Sequence, residues 1–252
     1  MSTVAHPKQN YPTNSEPGGK GFLHYLRPFL NNTVGAKLLV AITGLMLSGF
    51  VVGHLIGNLK VYSGAESLNA YAYFLKHSLG ILIWVARGGL LVAFVTHIVL
   101  VLRLKALSRA ARPIPYANPG TIQATYTSRY MLVTGLAIFF FLMYHLAHFT
   151  FGWVHTADGT NYLDLKDANG HHDVYAMVIA GFRTSYIAVL YIVAQVFLFL
   201  HLIHGFQSAF QTLGLNTPRL QPAWRMMGLG LAAFLLIGNV SIPIAVLSGW
   251  IQ

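Results

Sequence analysis

Apolar residues fall into five long stretches, roughly 36–57, 79–104, 129–154, 178–205 and 225–248, with polar segments between them. An α-helix rises about 1.5 Å per residue, so about 20 apolar residues cross the hydrocarbon of a bilayer. Each stretch meets that length, and none shows the short alternation of a membrane-spanning strand. The pattern predicts an all-α integral membrane protein, a bundle of five transmembrane helices over residues 36–252. Residues 1–35 are polar and rich in proline and glycine, and they read as a cytoplasmic tail. Within the tail, GFLHYLRPFL (21–30) has the makings of a short segment lying along the membrane surface. No internal repeat is evident at this level.

Charge fixes the expected orientation. Lys8, Lys20, Arg27 and Lys37 precede the first stretch; Arg103, Lys105, Arg109, Arg112 and Arg129 surround the connection from second to third; Arg219 and Arg225 lie between fourth and fifth. The alternate connections hold Glu66, Asp158, Asp164, Asp167 and Asp173. Lys and Arg favour the cytoplasmic side, so the N-terminus is expected inside and the C-terminus outside, in the cell's inner (cytoplasmic) membrane. The formal charge of +10 then describes a cationic inner face suited to anionic lipid or an acidic partner. A nucleic-acid partner is not expected, because there is no soluble basic domain to bind it. The chain has no cysteine, which excludes disulfides, a thiolate-held iron-sulfur cluster and haem attached through C-x-x-C-H.

Against this apolar background the histidines are the unusual residues. Six of the 12 lie inside the long stretches, and His54, His97, His145 and His201 occupy four different ones. Ionisable groups at that depth are rare and usually functional. Counting along each helix from its expected end sorts them into two levels: His54 with His145 in the outer half, His97 with His201 in the inner half. Two imidazoles at one height on facing helices are what a six-coordinate b-type haem needs, and two such levels make an electron relay across the membrane. His148 and His204 each follow a chosen ligand by three residues on nearly the same face, so spacing alone does not separate 145 from 148 or 201 from 204. Gly49, Gly53 and Gly57 recur beside His54, either to admit a flat ring or as a small-residue packing stripe.

The segments GHLIGNLKVY (53–62), LNAYAYFLKHS (68–78), LMYHLAHFTFG (142–152), GFRTSYIAVLY (181–191) and FLFLHLIHGFQSAFQTLGL (197–215) make the resemblance specific. From about residue 30 onward the chain is similar to the cytochrome b membrane subunit of succinate:quinone oxidoreductases, in its single-polypeptide, five-helix, dihaem form. The resemblance carries axial ligation to His54, His97, His145 and His201, the last preceding Gly205 by four residues. It implies two haem b groups, His97 with His201 inner and His54 with His145 outer. It also implies a flavoprotein and an iron-sulfur subunit on the cytoplasmic face, with electrons passing through this chain to a membrane quinone, expected to be menaquinone. The chain would then be the quinone-reactive subunit of a succinate dehydrogenase or fumarate reductase complex, with no succinate-oxidising site of its own.

Further residues follow from that framework. Arg87 and Arg183, placed inside the second and fourth stretches, are candidates for the outer haem's propionates. Ser208 and Gln211, with Thr212, are candidates for the inner haem. Asn58, Lys60, Asn69, Tyr71, Tyr73 and His77 are candidates for the quinone. Some fumarate-reducing relatives carry Glu two residues before the fourth-helix ligand; here Phe199 stands there, which favours succinate oxidation. Two other readings stay open: a dihaem cytochrome b serving a formate dehydrogenase or hydrogenase, and a haem-free transporter using its histidines for proton coupling.

Overall fold

The computed structural model describes residues 32–112, 114 and 126–252. The tail up to residue 31, with its surface segment 21–30, His6 and His24, lies outside the described residues. Five helices are long and apolar enough to cross a membrane, which gives a multi-pass architecture. They are α1 (Thr33–Asn58), α3 (Ile81–Ala110), α5 (Met131–His145), α7 (Ser185–Thr212) and α8 (Gln221–Leu247). α1 is continued by a 3-10 turn to Ser63, and α5 by a wider π turn to Thr150.

The first helix begins at Thr33, three residues before the apolar stretch, because the Asn32 side chain caps it by accepting the Gly35 N–H. The fourth departs further from expectation. Residues 178–183 are apolar yet belong to a separate helix, α6 (Val174–Arg183), capped by Asp173 and ended by Thr184 in an extended conformation. α6 buries Met177, Ile179, Gly181 and Phe182 against protein, and the spanning helix starts at Ser185.

Four helices form a ring. α1 packs against α3 and α7, and α5 packs against α7. Phe94 of α3 and Phe139 of α5 close the circuit with near-parallel rings, centroids 6.2 Å apart. α1 therefore stands diagonally opposite α5, and α3 opposite α7. α8 lies outside the ring against α7 and α1; a Cβ at its Gly238 would approach Leu55 to 2.7 Å, so these helices meet at backbone distance.

One end of the bundle is capped. α2 (Ala65–Tyr73), the small hairpin β1 (Thr156–Ala157) and β2 (Thr160–Asn161), and α6 gather there. Short α4 (Tyr126–Arg129) leads into α5 at the opposite end. The cap rests on a buried cluster that includes Val61, Leu68, Phe182, Ile187, Tyr191 and Val246. Buried Asn69 ties α2 to α6: its amide donates to Asp173 Oδ1 at 2.9 Å and its carbonyl oxygen accepts the Tyr175 N–H at 3.0 Å.

Candidate functional site

The four spanning histidines fall into two diagonal pairs within the ring. His54 of α1 and His145 of α5 face each other with ring centroids 5.8 Å apart and planes 85° apart. His97 of α3 and His201 of α7 lie within electrostatic reach of one another. The two levels expected from depth are thus the two sets of neighbours in the fold.

The way the second pair is held was not visible in the spacing of histidines. His97 Nδ1 lies 3.2 Å from the Val40 carbonyl oxygen and 3.2 Å from Thr43 Oγ1. His201 Nδ1 lies 3.1 Å from Thr134 Oγ1, with the Met131 backbone nearby. Each threonine hydroxyl is also within reach of carbonyls on its own helix, Leu39 at 2.6 Å for Thr43 and Met131 at 3.1 Å for Thr134. With its hydrogen given to those carbonyls, the hydroxyl oxygen is left to accept from the imidazole N–H. A histidine whose Nδ1 donates has the tautomer in which Nε2 offers its lone pair, as a metal-ligating histidine requires. The next residue in each case is glycine. A Cβ on Gly44 would stand 3.1 Å from His97 Cε1, and one on Gly135 would stand 3.3 Å from His201 Cε1.

These two seats expose an internal repeat, correcting the reading that there is none. Thr43-Gly44-Leu45 precedes His54-Leu55 by 11 residues, and Thr134-Gly135-Leu136 precedes His145-Leu146 by the same 11. In each half the first spanning helix, α1 or α5, carries Thr-Gly at one level and its own histidine about 16 Å further along. In each half the following helix sets its histidine on the Thr-Gly seat. The signal was present as T-G-L-x8-H-L.

The contacts also separate neighbouring histidines. His148 is fully buried away from His54, in a cluster with Phe149, Tyr162, His155 and Tyr191, and its Nδ1 meets Tyr191 Oη at 2.9 Å. His145 Nδ1 lies 3.3 Å from the same hydroxyl while its ring faces His54. His204 is half-buried one turn beyond His201, toward the uncapped end.

The donor set suits an ion that needs two imidazoles rather than a closed protein cage. Among the described residues no group of three or more His, Cys, Asp or Glu side chains converges. Two imidazoles bound to one metal through bonds of about 2 Å bring their centroids to about 6 Å, close to the 5.8 Å seen for His54 and His145. Beside His54, a Cβ on Gly49 or Gly53 would meet nothing within 4 Å, so these two are not a packing stripe within the chain; Gly57 is, since a Cβ there would lie 2.7 Å from Tyr71.

The remaining candidates lie elsewhere. Arg87 is exposed, its guanidinium 5.0 Å from the Trp84 ring centroid. Arg183 is exposed at the end of α6, not within the fourth span as expected. Ser208 is half-buried and Gln211 exposed on the last turns of α7, at the uncapped end. Of the quinone candidates, Asn69 serves the cap, Lys60 sits 5.5 Å from the centre of the Tyr71 ring, and Tyr73 is stacked between His77 and His171 at 4.2 and 4.1 Å. Asn58 ends α1. Comparison with protein-family models, with curated proteins and with solved structures gives no match for this chain.

Proposed function

We propose that this chain is a dihaem cytochrome b, the membrane subunit that passes electrons between an iron-sulfur partner and a quinone in a succinate:quinone oxidoreductase. The observation that carries the reading is the diagonal convergence of histidines, His54 with His145 and His97 with His201, from four helices. A b-type haem, when bound, would supply one-electron redox chemistry; His97 with His201 would hold one such group and His54 with His145 the other. Thr43 and Thr134, with the Val40 carbonyl, orient the inner pair. The rise along α1 separates the two levels by about 16 Å.

Orientation follows the cation distribution, with the uncapped end and its arginines cytoplasmic, where the iron-sulfur and flavoprotein subunits dock. The inner level faces that partner; the outer level, beneath the cap, serves the quinone.

A pyridine haemochrome assay on the purified protein, with a reduced-minus-oxidised spectrum, tests the reading. Two haems per chain are expected, with one remaining in His145→Ala or His201→Ala and two in His148→Gln. A colourless protein, or one haem in the unaltered chain, overturns it. Co-purification of flavin with succinate dehydrogenase activity separates it from a formate dehydrogenase or hydrogenase subunit, which would bring molybdenum or nickel.

A further inference from the structure

At the capped end, a pocket of about 350 Å³ opens between the residues after α2 and the loop before α6, lined among others by Lys76, His77, Lys166, His171 and His172. Its hydrogen bonding is fixed by His172. The ring's Nε2 donates to the Tyr162 carbonyl oxygen at 2.9 Å, so Nδ1 is the acceptor and takes a hydrogen from Lys76 Nζ at 3.1 Å. A neutral imidazole therefore holds the ammonium and leaves its charge uncompensated, with two further N–H donors to offer. His77 and His171 form a second wall, clamped on the two faces of Tyr73.

The two carboxylates of this corner, Asp167 and Asp173, are both engaged away from the lysines. Burial, then Arg87, then Lys166 depress the Lys76 pKa, so all the charges it feels there are cationic. Among the described residues the one salt bridge joins Asp167 to His171, at 4.0 Å. Asp167 is further engaged by the N–H groups of Asn169 and His171, and Asp173 by Asn69 and the first turn of α6. Lys76, Lys166 and Arg87 have no carboxylate partner among the described residues.

The pocket adjoins an apolar surface. α3 starts immediately after it, and the first residues of that helix, Ile81, Leu82, Trp84 and Val85, are 64–73% exposed. Arg87 lies over Trp84, the amphipathic pairing found where hydrocarbon gives way to headgroups. A ligand matching both features has an anionic, acceptor-rich head and an apolar tail. We propose that the pocket binds the phosphate of an anionic phospholipid, seated between Lys76 and Lys166 with Arg87 at its edge, its acyl chains lying along the exposed start of α3. The proposal does not depend on the electron-transfer reading. Free phosphate shares the head chemistry but not the tail.

The test uses the full chain, purified in detergent and depleted of lipid, with binding read by native mass spectrometry. The probes are dioleoylphosphatidylglycerol, dioleoylphosphatidylcholine and inorganic phosphate. Saturable binding of the phosphatidylglycerol is expected, weakened roughly tenfold or more in the Lys76→Gln/Lys166→Gln double variant. Ser248→Ala, at the capped end but outside the pocket, should bind as the unaltered chain does, and helicity by circular dichroism checks folding in both. Equal retention of the two lipids, or phosphatidylglycerol binding that survives the double substitution, overturns the proposal. Displacement of the lipid by inorganic phosphate at equal concentration also overturns it, by assigning the pocket to the free anion.

Discussion

Thr43 Oγ1 and His97 Nδ1 lie 3.2 Å apart, and Thr134 and His201 repeat the contact at 3.1 Å. Thr43→Val keeps the shape and removes the acceptor, leaving His97 with the Val40 carbonyl alone. Outer-shell bonds of this kind raise ligand basicity, and their loss costs roughly 10- to 100-fold in metal affinity. Under the proposed function, Thr43→Val or Thr134→Val raises the midpoint potential of one of two haems and weakens its retention, while Thr43→Ser restores both. Redox titration of the purified protein checks this; two unshifted potentials would show the hydroxyls to be mere neighbours.

The glycines beside those threonines make a sharper prediction. Gly44→Val pushes a branched side chain against His97, where even a single Cβ would come within 3.1 Å of the ring. The haem count should fall from two to one. Gly205→Ala, whose Cβ would meet only Met131 at an ordinary 3.8 Å, should retain two. The pyridine haemochrome ratio distinguishes the variants.

The cap should loosen in acid. Burial is the largest cause lowering the His172 pKa, with Lys76 and Lys166 adding to it and the Tyr162 carbonyl and Asp173 opposing. The folded cap therefore binds its proton less readily than the unfolded chain, whose histidine titrates near its ordinary value of about 6.5. The linked stability is complete above that value and declines as pH falls toward the lowered folded value. Hydrogen exchange across residues 162–173, corrected for intrinsic rates, should show less protection at pH about 5.5 than at about 7.5. His172→Gln should flatten the difference.

Asn69 is 5% exposed and satisfies the Tyr175 N–H while holding Asp173. Asn69→Ala leaves the part-buried Tyr175 N–H without its acceptor, a loss of about 1 kcal/mol. The expected result is faster exchange and easier proteolysis at the start of α6, with the haem content unchanged. A lowered haem content with an intact cap would reassign Asn69 to the site.

Much of this was legible in the sequence because membrane-spanning helices are specified by length and apolarity, which need no partner to be read. The fourth span misled for the same reason: a hydropathy stretch does not distinguish 178–183, which bury against protein, from residues that face lipid. Depth along a helix grouped His54 with His145, whose rings lie 5.8 Å apart, and His97 with His201. Azimuth was beyond it, since residues three apart share a face, and only the packing of His148 against Phe149 and Tyr162 turned it away from His54. Arg87 and Arg183 show a related limit: both side chains are exposed, and Arg183 ends α6 instead of lying within the fourth span. The Thr-Gly seats escaped notice because a short T-G-L and a distant H-L carry little weight until the contacts to His97 and His201 join them.

The repeat has a consequence for how such a protein is put together. Each histidine set draws one member from the α1–α3 half and one from the α5–α7 half, so under the proposed function neither hairpin alone could hold a haem. A single two-helix unit would be competent only when a second copy leaned against it, each lending the other what it lacked. If that function holds, chain cleavage between Arg112 and Tyr126 would give two colourless fragments that bind haem only when mixed.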